Sequence, residues 1–469
     1  MEQPRSQIYF PPEILLLIFR HLGPGRKPLL CSPDLELQGL QEAADDGLEP
    51  GAPDTGTLYS LCLVSRRVRD LAQPFLYREF TMGGKHLRFY CFWAMAYRSD
   101  PKWSGRLVQF VRTLIEHRDL ARLVKRVRIS EEIFVHAGRT ESILAVLKQA
   151  VTHVFPSSSW TPERSQEMSG TQSEGEHRLW CMRRTLSDQN FHMFLKSELV
   201  ACLIALLPNL EHLRLCDGFR QSYLEHDEIP FFWKAAKMKS LPLRTLDLGT
   251  GLERMVPVMS MALHLETLNL HACESIFPFA DGPRVTFPNL KTLLLTDSMF
   301  NHDEVRRLLN CCTGGLHKFA YEVNWRFPAS DIMQSLSRHH KTLKYLHLDH
   351  CKSASMPRLT GFEKCTALSS LFLGSMFLSD MFASDSLHEI ALPPFLESLR
   401  LSSYSFRGPE ENTALCQFLA HLLEVKTLMP VRYPNLRYVT CDKRRLLAEE
   451  VSGVGAALGA VGITLIGKG

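Results

Sequence analysis

The chain has 469 residues, of which 45% are hydrophobic and 22% charged, and its formal net charge of +4 is small for this length. This balance is typical of globular proteins and argues against a nucleic-acid ligand. Because one hydrophobic core rarely organises more than about 250–300 residues, the length favours a repeat architecture.

The first apolar segment, FPPEILLLIFRHL from Phe10 to Leu22, predicts a helix. Pro11 and Pro12 suit the opening turn, where a missing N–H costs nothing, and Glu13 complements the positive end of the helix dipole. Every residue from Ile14 to Phe19 is apolar, so this helix is expected to be hydrophobic on all sides. Part of its surface therefore needs a partner.

The second apolar segment, from Thr57 to Phe80, has the three- and four-residue spacing of a helix at Leu58, Leu61, Val64, Val68 and Leu71. Pro74 is expected to break this helix. Between the two segments, residues 23–56 are rich in proline and acidic residues and short of apolar ones. Such a composition predicts a disordered insertion.

Together the two segments resemble an F-box, the helical module that docks a substrate receptor onto the Skp adaptor of a cullin ubiquitin ligase. The matching residues are Phe10, Pro11, Glu13, Ile14, Leu15, Ile18, Phe19, Leu22, Leu61, Val64, Ser65, Arg66 and Leu71. The ending AQPFLYREF is similar to the sequence that follows the F-box in many fungal members. Two departures lower the expected adaptor affinity: Val68 stands where the family usually has a bulky aromatic, and the insertion interrupts the motif.

The resemblance implies an F-box domain at residues 8–80, with the disordered insertion at 23–56. It also implies that the adaptor is bound by Phe10, Pro11, Ile14, Leu15, Ile18, Leu61 and Val64. The alternative is that these helices only cap the N-terminal end of the fold.

Residues 81–120 are expected to form a helical linker. Its helix begins near Ser104 and has an apolar face made by Leu107, Val108, Phe110, Val111, Leu114 and Ile115. Val124, Val127 and Ile129 then predict a first short strand, and the apolar residues between Ile143 and Val151 predict a helix behind it. Residues 156–178 are rich in Ser, Gly and Glu, which predicts a flexible loop.

One motif, LxxLxL, recurs through the rest of the chain. It begins at Leu210, Leu243, Leu265, Leu290, Leu316, Leu343, Leu368, Leu396 and Leu436. The intervals are 33, 22, 25, 26, 27, 25, 28 and 40 residues, and most lie in the range typical of leucine-rich repeats. Two copies continue to a cysteine, at Cys273 and Cys351. Asn301 and Glu304 predict a capping box at the start of a helix, so each unit is interpreted as strand, loop and helix.

A single unit of this kind exposes the leucine face of its strand and the apolar face of its helix, which only stacking on the next unit can bury. We therefore predict an α/β fold in which residues 121–469 form a leucine-rich-repeat solenoid, a horseshoe with a parallel inner sheet and outer helices. Leucine-rich repeats behind an F-box resemble the fungal F-box and leucine-rich-repeat family.

The resemblance implies a substrate-recognition subunit of a Skp-cullin-F-box ubiquitin ligase that catalyses nothing itself. Its expected partners are the Skp-type adaptor, cullin through that adaptor, and an unknown target protein held by the repeats. The alternative is a leucine-rich-repeat scaffold without a ligase role.

No nucleophile elbow, phosphate loop, HExxH or zinc-finger spacing occurs in the sequence, so neither a cofactor nor a metal is expected. One cluster has the residue types of metal ligands: His347, Asp349, His350 and Cys351. Three of these lie on a strand, where neighbouring side chains point to opposite faces, so they cannot all converge on one ion. Cys311 and Cys312 are interpreted as packed thiols, and His339 with His340 as a solvated helix end.

Thirteen cysteines without CxxC pairs, and a polar N-terminus without a secretory signal, predict a reduced intracellular protein in the cytoplasm or nucleus. The tail from Val451 to Ile466 is apolar but diluted by glycines, and a membrane span needs about 20 apolar residues. A closing helix and edge strand are therefore expected, and no membrane contact.

Within LxxLxL the leucines point into the core, so with a period of two the third, fifth and seventh positions of each motif face outward on the inner wall. These are His212, Arg214, Asp247, Asn269, His271, Lys318, Glu322, Tyr345, His347, Asp349, Phe372, Arg400, Tyr438 and Asp442. Charges of both signs alternate there, which favours a polypeptide ligand over a phosphate backbone. The predicted target-binding residues are Arg214, Asp247, Asn269, Tyr345, His347, Phe372 and Arg400.

Tyr345 and Phe372, on adjacent repeats, are expected to be exposed anchors for the target. The alternative is that loops or the C-terminal tail cover these rings, or that the rings pack against each other.

Overall fold

The computed structural model describes residues 11–22, 55–82, 105–129, 139–154, 188–215, 232–233, 237–249, 256–271, 273, 285–298, 300–323, 332–350, 361–374, 392–402, 409–429, 431–442 and 448–468. The chain forms two compact units, Met1–Pro242 and Leu243–Gly469. Their boundary falls inside the range 121–469 that was predicted as one repeat domain. The predicted loop 156–178 lies outside the described residues, as does the predicted insertion 23–56 except for Thr55 and Gly56, which begin a helix.

Three helices open the described part of the first unit: α1 (Pro12–Leu22), α2 (Thr55–Val64) and α3 (Arg66–Tyr77). α1 lies in the segment for which the N-terminal prolines predict a helix. The three helices share a small core of Phe19, Leu58, Cys62 and Ala72, and the Phe19 ring lies 6.2 Å from the ring of Phe75. A hydrogen bond of 3.2 Å from Arg69 Nε on α3 to the Cys62 carbonyl on α2 adds to this apolar packing.

The prediction that Pro74 breaks the second segment is wrong, because the break lies at Ser65. Ser65 has an extended backbone and caps α3: its Oγ accepts a hydrogen bond of 3.2 Å from the Val68 N–H. Pro74 lies inside α3, which continues to Tyr77. The hydrogen bond that Pro74 removes would have ended on the carbonyl of the exposed Asp70, where water can replace it.

The first unit contains a parallel sheet of β1 (Glu79–Met82), β2 (Arg126–Ile129) and β3 (His212–Leu215), in that order. The strand predicted around Val127 is confirmed, but it is the second of this sheet. The register pairs Phe80 with Val127 and Val127 with Leu213. β1 has only four residues, of which Phe80 is buried, and this length is too short for its sequence to show a strand period.

Four helices are described between these strands, outside the gaps 83–104, 130–138 and 155–187: α4 (Arg106–Glu116), α5 (Arg118–Ala121), α6 (Thr140–Val154) and α7 (Asp188–Leu206). α4, α6 and α7 pack against one another. The predicted apolar face of α4 is confirmed, since five of its six residues are buried and Phe110 stacks on Phe80 with ring centroids 3.7 Å apart. This contact joins the linker helix to the sheet directly after the N-terminal helices.

Nine parallel strands in chain order form the sheet of the described second unit. They are β4 (Thr245–Gly249), β5 (Thr267–His271), β6 (Thr292–Ser298), β7 (Lys318–Val323), β8 (Tyr345–His350), β9 (Ser370–Gly374), β10 (Ser398–Ser402), β11 (Tyr438–Asp442) and β12 (Thr464–Lys468). Together with β3, the first eight confirm all nine LxxLxL strands. The α/β class with a parallel sheet is therefore confirmed, and the strand order is that of stacked repeats.

Helices alternate with these strands: α8 (Val256–Met261), α9 (His302–Cys311), α10 (Ile332–Ser335), α11 (Pro409–Leu428) and α12 (Ala448–Ala460), with 3₁₀ turns at Leu336–His339 and Phe362–Lys364. The predicted capping box is confirmed, since the Glu304 N–H donates to Asn301 Oδ1 at 3.0 Å and the Asn301 N–H to Glu304 Oε2 at 2.8 Å. α12 and β12 confirm the predicted closing helix and edge strand.

The core of the second unit is a row of apolar side chains in register across the sheet. It runs through Leu246, Leu268, Leu293, Phe319, Leu346, Leu371, Leu399 and Val439, all of them buried. Each such side chain stabilises the fold by about 1.5–3 kcal/mol. Side chains just before the motif also link successive repeats: Asn289 Nδ2 donates to the Leu263 carbonyl at 2.9 Å, and Thr342 Oγ1 to the Leu316 carbonyl at 2.8 Å.

His339 is part of this packing, so the prediction that it belongs to a solvated helix end is wrong. It is buried; its Nδ1 accepts from the Leu316 N–H and its Nε2 faces the Leu309 carbonyl, both at 3.3 Å. Burial lowers the pKa of His339 below its usual value. The neutral imidazole therefore bridges two backbone groups that would otherwise be unpaired in the core.

Candidate functional site

The helices α1 and α2 expose large apolar side chains, which a folded protein normally buries. They are Ile14, Leu17 and Ile18 on α1, and Tyr59, Leu63 and Val64 on α2; we call this set the apolar docking surface. Leu63 and Val64 are 65% and 69% exposed. Large apolar side chains exposed on two helices of one small module make this surface a candidate interaction site.

The structure divides the predicted adaptor-binding residues into two groups. Pro11, Ile14, Ile18 and Val64 are exposed, as a docking role requires. Leu15 and Leu61 are half-buried and pack against the module's own core. Phe10 lies outside the described residues. The all-apolar run of α1 carries no period, so the sequence alone could not show which of its residues turn inward.

Leu17, Tyr59 and Leu63 were not among the predicted residues, although all three are exposed. Leu63 and Tyr59 lie four residues apart on α2, which places them on one side of that helix. In the sequence they appear as apolar residues that do not follow the three- and four-residue spacing of the predicted buried face. The family pattern does not single them out.

On the sheet of the second unit, the third residues of the seven strands from β4 to β10 form a row in register. We call Asp247, Asn269, Leu294, Ala320, His347, Phe372 and Arg400 the middle row. It contains five of the seven predicted target-binding residues; Tyr345 lies two residues before His347 on the same strand, and Arg214 belongs to the first unit. Asp247 and Arg400 are half-buried, whereas Asn269 and His347 are buried.

The expectation that Tyr345 and Phe372 are exposed anchors is wrong, because they are only 5% and 6% exposed. The Phe372 ring stacks on the His347 imidazole, with centroids 3.8 Å apart and planes 8° from parallel. The Arg400 guanidinium lies 5.1 Å from the centroid of the same ring. Since β8 and β10 flank β9, Phe372 is enclosed from both sides, and it acts as packing of the sheet face.

His347 and Asn269 are buried with unmatched polar atoms. His347 Nε2 lies 3.2 Å from Glu322 Oε1, an ion-pair distance if the imidazole is protonated, but without the alignment of a hydrogen bond. Among the residues that the structure describes, His347 Nδ1 and Asn269 Oδ1 also have no hydrogen-bond partner. Buried polar groups of this kind cost stability and are uncommon in a sheet face.

Asp349, at the end of β8, covers the position of Gly374 at the end of β9. A Cβ at Gly374 would lie 1.8 Å from Asp349 Oδ1 and 3.0 Å from Asp349 Cα. Glycine is therefore required at residue 374 by close approach of a side chain, not by its backbone angles. This packing fixes the Asp349 carboxylate on the sheet face.

The sheet of the first unit presents a set of cations that the leucine motif did not reveal. Arg126 and Arg128 on β2 lie beside His212 and Arg214 on β3. Glu79 on β1 reaches both β2 arginines, with Oε2 at 3.8 Å from Arg126 Nη1 and Oε1 at 3.5 Å from Arg128 Nε. Of these, only His212 and Arg214 were assigned to the outward face from the sequence.

Within the described residues, no three or more His, Cys, Asp or Glu side chains are arranged to hold a metal ion. The cysteines that the structure describes are not in disulfides, and burial raises the pKa of Cys312 and Cys365, the latter to about 11. Thiols in this state are poor nucleophiles at neutral pH. In the same part of the chain, none of the helices has the length and hydrophobicity to cross a bilayer.

Comparison with known protein families and curated proteins found no family model and no protein that matches this chain. The resemblance to an F-box and leucine-rich-repeat protein therefore stands on the residues named above.

Proposed function

We propose that this chain is a substrate-recognition subunit of a Skp-cullin-F-box ubiquitin ligase. In this role the apolar docking surface binds the Skp-type adaptor, and through it cullin, while the parallel sheet holds the target protein. The observation that carries the proposal is the exposure of Ile14, Ile18, Leu63 and Val64 on a compact helical module. Exposure of apolar side chains of this size to water costs free energy, and a bound partner removes that cost.

The order of the chain supports the same function. A helical module with an apolar surface precedes a parallel sheet whose strands follow chain order, as expected of a docking part followed by a recognition part. The sheet face carries charges of both signs, such as Asp247, Lys318 and Arg400, which suits a polypeptide. A phosphate backbone would require a continuous basic track.

The test is co-purification of tagged full-length chain with the Skp-type adaptor and cullin. Ile18→Glu and Leu63→Glu each place an unpaired charge in the proposed contact, at a cost of about 3–5 kcal/mol. Such a cost lowers affinity at least about a hundredfold, so both proteins should be lost from the purified complex. Val431→Glu is the matched control, because Val431 is exposed in the second unit.

Two outcomes contradict the proposal. Retention of the adaptor by folded Ile18→Glu and Leu63→Glu proteins shows that the apolar docking surface is not the contact. A wild-type chain that binds the adaptor without cullin, or binds neither, supports the alternative of a leucine-rich-repeat scaffold without a ligase role. Circular dichroism of each variant establishes that the helical module is still folded.

A further inference from the structure

The last strand of the described sheet, β12, has a neighbour on one side only. Of the strands that the structure describes, it pairs with β11 alone, in parallel register. Thr464 and Ile466, at its first and third positions, are exposed, Ile466 by 39%. On β11 the residue in register with Ile466 is Thr440, which is buried. The side chains of the sheet face therefore become accessible at its final strand.

The core of the second unit is also incompletely closed at this strand. Leu465 continues the core row, because it is in register with the buried Val439. The row is buried from Leu246 to Val439, whereas Leu465 is only half-buried. α12 packs closely on Leu465, since a Cβ at Gly455 would lie 3.5 Å from Leu465 Cδ2. The remaining exposure of Leu465 is therefore at the open edge, where a stack of repeats needs a cap.

The backbone of β12 shows which polar groups point to the open edge. The Thr464 N–H donates to the carbonyl of Arg437, the residue before β11, at 2.8 Å. In a parallel pair alternate residues bond to the same neighbour, so the N–H and C=O groups of Ile466 also point to β11. Those of Leu465 and Gly467 consequently point away from the sheet. An edge of this kind is a template for pairing with another strand.

We propose that β12 pairs with β12 of a second copy of this chain, antiparallel about a two-fold axis at Ile466. In this register Leu465 lies opposite Gly467 of the second copy, and the two residues exchange both backbone hydrogen bonds. Ile466 then faces its own copy in a non-hydrogen-bonded pair, where side chains are closest. An axis at Leu465 would instead need the Ile463 N–H, which already donates to the Leu458 carbonyl at 2.9 Å.

The sequence of β12, TLIGK, is complementary to itself in this register. Leu465 meets a glycine, which leaves room for its side chain between the two cores. Ile466 gains an apolar neighbour on the outward face. Lys468, the one charged residue of the strand, lies opposite Thr464, so like charges are not directly opposed. This self-complementarity favours a second copy over an unrelated polypeptide.

The inference goes beyond the proposed function and does not rest on it, because the apolar docking surface belongs to the first unit and β12 to the second. A dimer would present two such docking surfaces in one assembly. The contact has five residues on each side. Such a contact lies at the small end of specific interfaces, so we expect reversible association with a Kd on the order of tens of micromolar.

Sedimentation equilibrium of the full-length chain without adaptor measures this association, at concentrations from about tenfold below to about tenfold above the expected Kd. The mean mass should rise towards twice that of one chain. Ile466→Lys should weaken the dimer at least about tenfold, because it opposes two like charges, without lowering the melting temperature. Tyr438→Lys is the matched control, since Tyr438 is exposed on the same face but lies on β11.

Gly467→Pro tests the backbone pairing separately from the side chains. It removes an N–H that points to the open edge, a position where a strand tolerates proline. Each copy loses one hydrogen bond to the other, so the dimer should weaken at least about tenfold.

Disulfide cross-linking tests the register. Ile466→Cys places two thiols in the non-hydrogen-bonded pair, where the Cα separation suits a disulfide, so mild oxidation should give a covalent dimer. Thr464→Cys is the matched control on the same face, because its two copies would lie about 14 Å apart. It should cross-link no faster than the wild-type chain, which has 13 cysteines of its own.

Several results overturn the inference. A wild-type chain that stays monomeric over this range shows that the edge is free or taken by a different polypeptide. A dimer that Ile466→Lys leaves unchanged, or that Thr464→Cys cross-links as readily as Ile466→Cys, uses another contact. Assemblies larger than a dimer indicate head-to-tail addition, which does not close. If Gly467→Pro lowers the melting temperature, Ile466→Lys and the two cysteine variants decide the outcome.

Discussion

Replacing Phe372 by Ala tests whether the sheet face of the second unit is packed or available to a ligand. Truncation of a buried Phe costs about 3–5 kcal/mol. The stacking of Phe372 on His347 belongs to this cost, as does its contact with Arg400. Opening the site also admits water to the buried nitrogens of His347, and one regained hydrogen bond is worth about 1 kcal/mol. We therefore expect a net loss of about 2–4 kcal/mol.

The loss should be measured by hydrogen exchange of the amides of β8, β9 and β10, since the chain has two compact units and global melting mixes their signals. Phe395→Ala is the matched control, because Phe395 is half exposed in the same unit and its removal should cost less than about 1 kcal/mol. A loss for Phe372→Ala that is no larger than the control refutes the enclosed stack. A large loss means that reduced target capture by this variant is no evidence for an anchor.

Three further predictions concern packing and pH. Gly374→Ala should destabilise β9 by about 1–3 kcal/mol, and Asp349→Ala should restore much of this in a double-mutant cycle, because the added methyl group meets the Asp349 carboxylate. His339→Leu should cost about 1–3 kcal/mol by leaving the Leu316 N–H unpaired, seen as faster exchange of that amide. The unfolding free energy should fall as the pH is lowered from about 6.5 to 4, because the pKa of His212 is lower in the folded chain and the unfolded chain therefore binds the proton first. Urea titrations of His212→Gln should show a flatter dependence on pH.

The strands of this fold could be predicted because LxxLxL fixes both the period and the direction of each side chain. Even the weakened copies, with Phe319 and Tyr321 or with Val439 and Cys441, form strands in register with their neighbours. A period of two states on which side of the sheet a residue lies. The period does not show whether other groups cover that side. Phe372 was therefore predicted on the correct face of the sheet but was wrongly predicted to be exposed.

Several features could not be predicted from the sequence, for different physical reasons. Arg126 and Arg128 alternate with Val127 and Ile129, so their outward direction was readable, but the segment lacks the leading leucines of the repeat motif. β1 is too short to show any period. α1 is difficult for a different reason. Its run is wholly apolar, so no polar residues mark an outer face, and only packing around Phe19 decides which residues turn inward.

The two proposed contacts differ in their physical origin, and this difference can be used to separate them. Adaptor binding through Ile14, Ile18 and Leu63 removes apolar surface from water, a driving force that salt does not screen. Binding of a target by charges of the sheet face, such as Lys318 and Arg400, is electrostatic and weakens as the Debye length shortens to about 3 Å at 1 M salt. Raising salt on an immobilised complex should therefore release the target first and leave the adaptor bound. If both leave together, the target is held through the adaptor or through apolar contacts.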